Sequence, residues 1–186
     1  MHEEDYVVGG VPLINPKHIR AGKIVADPSE SVSASKCNEL ELYRLRSGDV
    51  IMGRRGEMGR CAIVGPQHEG FVCGTGSLLL RPDLSVVTPL FVATMLSSDS
   101  MRRLLTRRAL GATLPNLNRA IVGDVEIPRP PMELQNEFER RVATVEELKA
   151  RQAIAIRELD SLLASIQDCA FRGELSMKEP TAPALA

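Results

Sequence analysis

Tryptophan is absent from this chain, and aromatic residues make up only 3% of its 186 positions. Any core must therefore lean on Leu, Val and Ile. The four cysteines (Cys37, Cys61, Cys73, Cys169) never form a C-x-x-C pair, and His2, His18 and His68 are scattered. That spacing offers no zinc site, so no metal is expected, and free thiols fit a reducing compartment. No stretch reaches the roughly 18 apolar residues that a membrane span needs. The N-terminal MHEEDY is acidic and lacks the profile of a signal peptide. These absences predict a cytoplasmic protein with no membrane partner.

Catalytic signatures are missing as well. There is no G-x-S-x-G and no Walker loop, and Cys73–Ser77 (CGTGS) lacks the dinucleotide fingerprint, so no cofactor is expected. Pro130-Pro131-Met132 is not the Asn-Pro-Pro-aromatic motif of amino-methyltransferases. Asp49, Glu57 and Asp124 each follow a glycine in a turn, where acidic residues are routine. No catalytic residue is assigned.

What is present divides the chain by texture. Residues 6–81 carry short apolar runs (Val7-Val8, Val50–Met52, Cys61–Val64, Leu78–Leu80) between Gly, Pro, Asp and Asn turn signals, which predicts a β-rich region. Residues 27–38 read as a polar loop, and Gly53–Arg60 (GRRGEMGR) as a glycine-rich loop between neighbouring strands. Thr88 and Pro89 open a helix running to about Ala109, with Gly111 as its stop. Ile121-Val122 and Val125–Ile127 allow at most one short strand. Pro130-Pro131 then deny a helix running through from the head, and fix where a new one starts.

From Met132 to Arg172 there is neither Gly nor Pro. Phe138, Val142, Val145, Ile156, Leu159, Leu163, Ile166 and Ala170 alternate three and four apart once Lys149 and Gln152 are admitted, which is a heptad seam with two polar intrusions. At 1.5 Å per residue the helix would extend ~60 Å. This chain holds no second long helix to cover that face, so a homodimer is expected, with Val142, Val145, Ile156, Leu159, Leu163 and Ile166 at the interface. The expected organisation is an α+β one: a β-rich head over 1–131, a coiled-coil-forming helix over 132–175, and a disordered tail over 176–186.

Charge is also divided. Net charge is −1, yet residues 44–129 hold 12 Lys+Arg against 7 Asp+Glu, while residues 132–186 hold 7 against 10. A basic middle and an acidic end imply surfaces with different partners. Arg54, Arg55 and Arg60 project from a loop whose glycines permit close approach, and guanidinium suits both phosphate and the guanine edge. Salt bridging to Glu57 and Glu69 in a solvated turn is the competing account. Arg103 and Arg107 share one helix face, with Arg102 and Arg108 to either side. Cations near a helix C-terminus suffice to explain them, whereas a helix face beside a basic loop would make a groove for phosphates. Asn116 and Asn118 could read adenine edges, but stabilising their own turn is the favoured role.

Several stretches together resemble the specificity subunit of type I restriction-modification systems: GGVPLI with HIRAGKI, then LRSGDVIM, GRRGEMGRCAIV, FVCGTGSLLLRP, GATLPNLN and IPRPPMELQNEF. The resemblance covers about Val8 to Leu175. It implies a target recognition domain that reads half of a bipartite double-stranded DNA target, and a helix that pairs antiparallel with its counterpart as a ruler. It implies no chemistry in this chain, which would direct an adenine-methyltransferase (modification) subunit and a restriction subunit. Members commonly carry two heads and two helices, so a single pair implies a half-subunit. A coiled-coil adaptor that never touches DNA is the alternative.

Overall fold

The computed structural model describes residues 5–56, 58–109 and 116–175. Expectations about Glu57, the Gly111 stop, the first part of the GATLPNLN run and the tail after Leu175 lie outside the described residues. The chain forms two units, Met1–Glu139 and Arg140–Ala186.

In the first unit, every strand among the described residues falls between Tyr6 and Leu80, as the turn-bounded apolar runs predict. These are β1 (Tyr6–Ile14), β2 (Ile19–Arg20), β3 (Lys23–Ile24), β4 (Ser31–Val32), β5 (Val50–Gly53), β6 (Cys61–Ile63), β7 (Val72–Cys73) and β8 (Ser77–Leu80). Strand β5 lies between β6 and β8, antiparallel to both, with Ile51 opposite Ala62 and Leu79. Its two faces serve two cores. Val50 and Met52 pack with Val92, Leu96 and Leu105, while Ile51 packs with Ile14, Ile19 and Leu45. A strand covered on both faces reads as an unbroken apolar run, which is why Val50–Met52 shows no alternation. The other sheet has the order β4-β1-β7, with β1 antiparallel to β4 and parallel to β7. Along β1 the pleat sends Leu13 toward Val32 and Val72, and Ile14 toward Ile51. Strands β2 and β3 form a separate hairpin.

Helices follow or interrupt these strands: α1 (Ala34–Glu39), α2 (Pro89–Ser97), α3 (Asp99–Ala109), α4 (Arg119–Gly123) and α5 (Met132–Phe171). Three places differ from the sequence reading. Within the expected 27–38 loop, Ser31-Val32 pair with β1 and Ser33 caps α1 by accepting the Lys36 N–H at 3.2 Å. The single helix expected over 89–109 breaks at Ser98, whose backbone is extended. Its hydroxyl donates to the Met95 carbonyl at 2.8 Å and accepts the Met101 N–H at 3.4 Å, so one side chain ends α2 and starts α3. The new direction brings Met101, Leu105 and Ala109 into the core. Ile121 and Val122, read as part of a short strand, lie instead in α4, because Asn118 accepts the Ile121 N–H at 2.8 Å and caps that helix. Thr88 does cap α2 with Pro89 in its first turn, as its sequence predicts.

Two short 3₁₀ turns share an x-Pro-x-His pattern: Asn15–His18 and Gly65–His68. In each, the histidine Nδ1 accepts the backbone N–H three residues earlier, at 3.1 and 3.4 Å. Burial pushes both imidazoles below their usual range; at His18 the Glu30 carboxylate, 3.4 Å from Nε2, opposes the shift. The unfolded chain takes up these protons near pH ~6.5, whereas the folded chain resists. The stabilisation is therefore complete above that pH and is lost as pH falls toward the lowered folded value. The urea midpoint should fall between about pH 7 and pH 5. His18→Gln should make that fall smaller without abolishing it, since His68 acts in the same direction.

Gln135, in the first turns of α5, is fully buried. Its Oε1 accepts the Thr88 N–H at 2.9 Å, and its Nε2 donates to the carbonyls of Pro130 (2.8 Å) and Val86 (3.1 Å). Phe138, one turn on, meets Phe91 edge-on at 6.4 Å. Together with the Pro131 carbonyl, which accepts from Leu134 and Gln135, these contacts hold the beginning of α5 within the first unit. The double proline stops the preceding segment, and the glutamine fastens the next. Gln135→Leu removes three hydrogen bonds and leaves the Thr88 N–H buried without a partner. It should cost about 3 kcal/mol in urea denaturation.

The second unit contains α5 from Arg140 onward. The helix closes at Gly173 (φ 71°): the Gly173 N–H donates to Ala170, and the Glu174 N–H donates to Cys169 at 2.9 Å. This is the Schellman arrangement, which needs a left-handed residue at that position. Val145, Ile156, Leu159, Leu163 and Ile166 are 46–65% exposed, and Val142 is half-buried. Around the polar intrusion, Glu146 pairs with Lys149 and Glu147 with Arg151, both along the helix surface. Among the described residues no helix is long and apolar enough to cross a membrane, and no His, Cys, Asp or Glu cluster could hold a metal.

Candidate nucleic-acid interface

The loop after β5 is tightly based. The Gly53 N–H donates to the Arg60 carbonyl at 2.9 Å, and the Arg54 N–H donates to Gly76 at 3.1 Å, continuing the β5–β8 ladder past its end. Met58 is buried in the core shared with α2 and α3. Gly59 has φ +77°, and a Cβ there would lie 2.9 Å from Arg102 Cγ and 3.0 Å from the Leu96 carbonyl. Both conditions demand glycine. The returning half of the loop is thereby clamped against the helices, and Arg55 and Gly56 are left exposed.

Opposite lies α3. Its Met101, Leu105 and Ala109 face inward, which turns Arg103 and Arg107 to solvent one helical turn apart. Gly56 and Met58 on the loop side and Asp99, Arg102, Arg103, Thr106 and Arg107 on the helix side line one open cleft of roughly 490 Å³. Among the described lining residues three guanidinium groups face a single carboxylate, which makes this lining basic. Such a trough can receive phosphate oxygens through charge-assisted, bidentate hydrogen bonds.

The remaining candidates are placed differently. Arg54 donates from Nε to the Asn116 side-chain oxygen at 2.9 Å, joining two residues 62 positions apart. Arg60 donates from Nη1 to the Ile19 carbonyl at 3.2 Å, and so links the loop to the β2–β3 hairpin. Arg108 donates to the Asp124 carbonyl. The side-chain oxygen of Asn118 is engaged in the α4 cap. Between the two asparagines, Leu117 is fully buried and its N–H donates to the Arg54 carbonyl at 2.9 Å.

Acids and thiols nearby have structural duties. The carboxylate of Asp49, 3% exposed, accepts two N–H bonds from Arg81 at 2.8 Å and one from the Arg46 backbone. That hydrogen bond also raises the Arg81 pKa. Burial pushes the Cys61 thiol up to about 11 and Cys73 up to about 12, with the Arg54 charge partly opposing the latter. Both thiols stay protonated and unreactive at neutral pH.

Sequence reasoning placed a basic loop beside a basic helix face, and the cleft brings Arg103 and Arg107 together beside Gly56. It missed the contributions of Asp99, Thr106 and Met58. The 102/103/106/107 spacing on one helix carried that signal; the Arg54–Asn116 link had none, because only the fold joins those segments.

The profile of the family described as type I restriction modification DNA specificity domain matches residues 2–156. The chain belongs to this family. It is similar to the type I restriction enzyme EcoBI specificity subunit of Escherichia coli, with 25% identity over 178 residues, covering 92% of this chain and 37% of that protein. Against the EcoKI specificity subunit of Escherichia coli the identity is 26% over 177 residues, 92% of this chain and 32% of the relative. The crystal structure of the HsdS subunit from Thermoanaerobacter tengcongensis matches 85% of this chain and 39% of its own, at 27% identity and a TM-score of 0.56. A chain from a structure concerned with assembly and conformational transition of the type I R-M system matches 95% of this chain and 45% of its own, at 26% identity and a TM-score of 0.55. The chain thus spans about a third of the length of these curated family members. The type I specificity-subunit resemblance and the α+β architecture expected from the sequence both hold.

Proposed function

We propose that this chain is a DNA-specificity half-subunit of a type I restriction-modification system. The first unit reads one half of a bipartite target, and α5 pairs with the α5 of a second copy. The assembly directs modification and restriction subunits, which carry the methyl transfer and the cleavage; the chain itself is not catalytic. The observation that carries this reading is the arginine cleft between the β5–β6 loop and α3, in a chain of the DNA specificity family. Arg55, Arg103 and Arg107 are the phosphate-facing set. Arg54 and Asn116 meet across two segments beside that loop, while Arg60 and Asn118 support the surface through the Ile19 carbonyl and the α4 cap. A coiled-coil adaptor without DNA readout would leave that cleft without a role.

The spacing of the α5 seam supports an antiparallel pair. Centred on Ile154, such a pair sets Val145 opposite Leu163, Val142 opposite Ile166 and Arg140 opposite Asp168. A parallel pair would set Lys149 against Lys149 in the seam, which disfavours it. A two-fold pair reads identical half-sites in opposite orientation.

The test is methylation mapping in a bacterial host expressing the chain with its cognate modification subunit. A split palindromic target is expected, with no methyl transfer by the purified chain alone. Deleting one heptad from α5 should shorten the spacer by about 3 base pairs, from ~10 Å of lost rise. An unsplit target, or methyl transfer without the partner, overturns the proposal.

A further inference from the structure

Arg54 and Asn116 meet in a way that restricts what either can recognise. Arginine carries only donors, so the amide oxygen of Asn116 must be the atom facing Arg54 Nε at 2.9 Å, and the amide NH₂ points elsewhere. Asparagine reads adenine by accepting from N6 and donating to N7, which needs its oxygen and nitrogen turned outward together. Here the oxygen is turned to Arg54. Among the described residues, neither the Arg54 Nη groups nor the Asn116 Nδ2 makes a hydrogen bond, and both side chains are half-buried. The amide oxygen keeps one further lone pair, but every other polar side-chain atom the pair presents, the Arg54 Nη groups and the Asn116 Nδ2, is an N–H donor.

Its geometry is held from both sides. The Arg54 backbone is bonded through its N–H to Gly76 and through its carbonyl to the Leu117 N–H, and the Leu117 side chain is fully buried beside it. Neither backbone can slide past the other without breaking these bonds. The guanidinium fork is also restrained at Nε. Fewer rotamers are therefore lost when its outer edge engages a ligand.

We infer that Arg54 and Asn116 form one donor-rich reading unit that takes paired acceptors on DNA: the O6 and N7 of a guanine, or the oxygens of a phosphate. Adenine presents a donor beside its acceptor and matches this set less well than guanine does. The inference rests on the DNA-specificity reading and narrows it to a class of acceptor.

The discriminating variant is Asn116→Asp. It keeps an acceptor for Arg54 Nε, so the tether survives, but it removes the two outward donors. If Asn116 only tethers Arg54, the variant should behave as wild type. On the donor-unit reading it should weaken target binding by the full complex on the order of 10- to 100-fold, at least as much as Asn116→Ala. Arg54→Lys and Arg54→Ala distinguish the two acceptor sources. For guanine, the wild-type half-site contains an invariant G that both variants relax, because lysine lacks the fork. For phosphate, Arg54→Lys retains most binding, while Arg54→Ala weakens all sequences alike and lowers the salt slope by about one. Unchanged thermal melts of each variant show that folding is intact. Wild-type-like binding by Asn116→Asp, or relaxation at an adenine in the Arg54 variants, overturns the inference. If the wild-type complex shows no sequence-specific methylation, the half-subunit proposal itself falls.

Discussion

Replacing Leu159 and Leu163 with aspartate is expected to convert a dimer into monomers at micromolar concentration while leaving the first unit folded. Both leucines lie on the exposed seam of α5, at 65% and 55% exposure in the single chain. Burial of a leucine contributes roughly 1.5–3 kcal/mol, and two-fold symmetry places each substitution twice. Four carboxylates would then lie in the seam, near Val145 and Lys149 of the opposite copy in the antiparallel arrangement. The dissociation constant should rise at least ~1000-fold, from ~4 kcal/mol or more of lost burial. Sedimentation reads the oligomeric state. Thermal unfolding of the β-rich unit should hardly shift, because among the described residues its cores contain none of α5 beyond Glu139. A dimer that survives the double substitution would place its contacts somewhere other than the helix.

The second large effect concerns the cleft. Removing Arg55, Arg103 and Arg107 together should weaken DNA binding by the full complex on the order of 100-fold at moderate salt. The slope of log affinity against log salt should flatten by roughly 2–3 units, near one for each phosphate no longer neutralised. Arg55 is exposed at the loop tip next to the cleft residue Gly56, and Arg103 and Arg107 line the cleft from exposed positions on α3. Arg60 serves as the contrast. Its guanidinium already donates to the Ile19 carbonyl, so Arg60→Ala should lower stability more than it lowers the salt slope. A triple variant that binds target DNA with unchanged affinity and slope would remove the cleft from the interface.

Elements with short-range causes were legible residue by residue. Thr88-Pro89 opens a helix, and Pro130-Pro131 closes one segment before Met132 opens the next, because capping and proline sterics act within one turn of chain. The heptad spacing of α5 was equally readable, since a 40-residue helix repeats its own signal. Ser98 and Asn118 were harder. Each carries an ordinary capping side chain inside an apolar pattern that a longer helix or a strand would fit just as well. Core burial of Met101, Leu105 and Ala109 is what makes the break at Ser98 favourable.

The amino-acid order by itself determined the β-rich-then-helical organisation, the family, the basic loop and the unpaired apolar stripe of α5. Each depends on neighbours a few residues apart, where sterics, periodicity and charge act directly. Tertiary structure alone decided which arginines share a cleft, which one is restrained by Asn116 across 62 residues, and how a buried Gln135 fastens α5 to Thr88 and Val86. Such pairings arise only when strands and helices stack. A single hydrogen bond between distant segments leaves no periodic trace in sequence, yet here it decides which way the Asn116 amide faces.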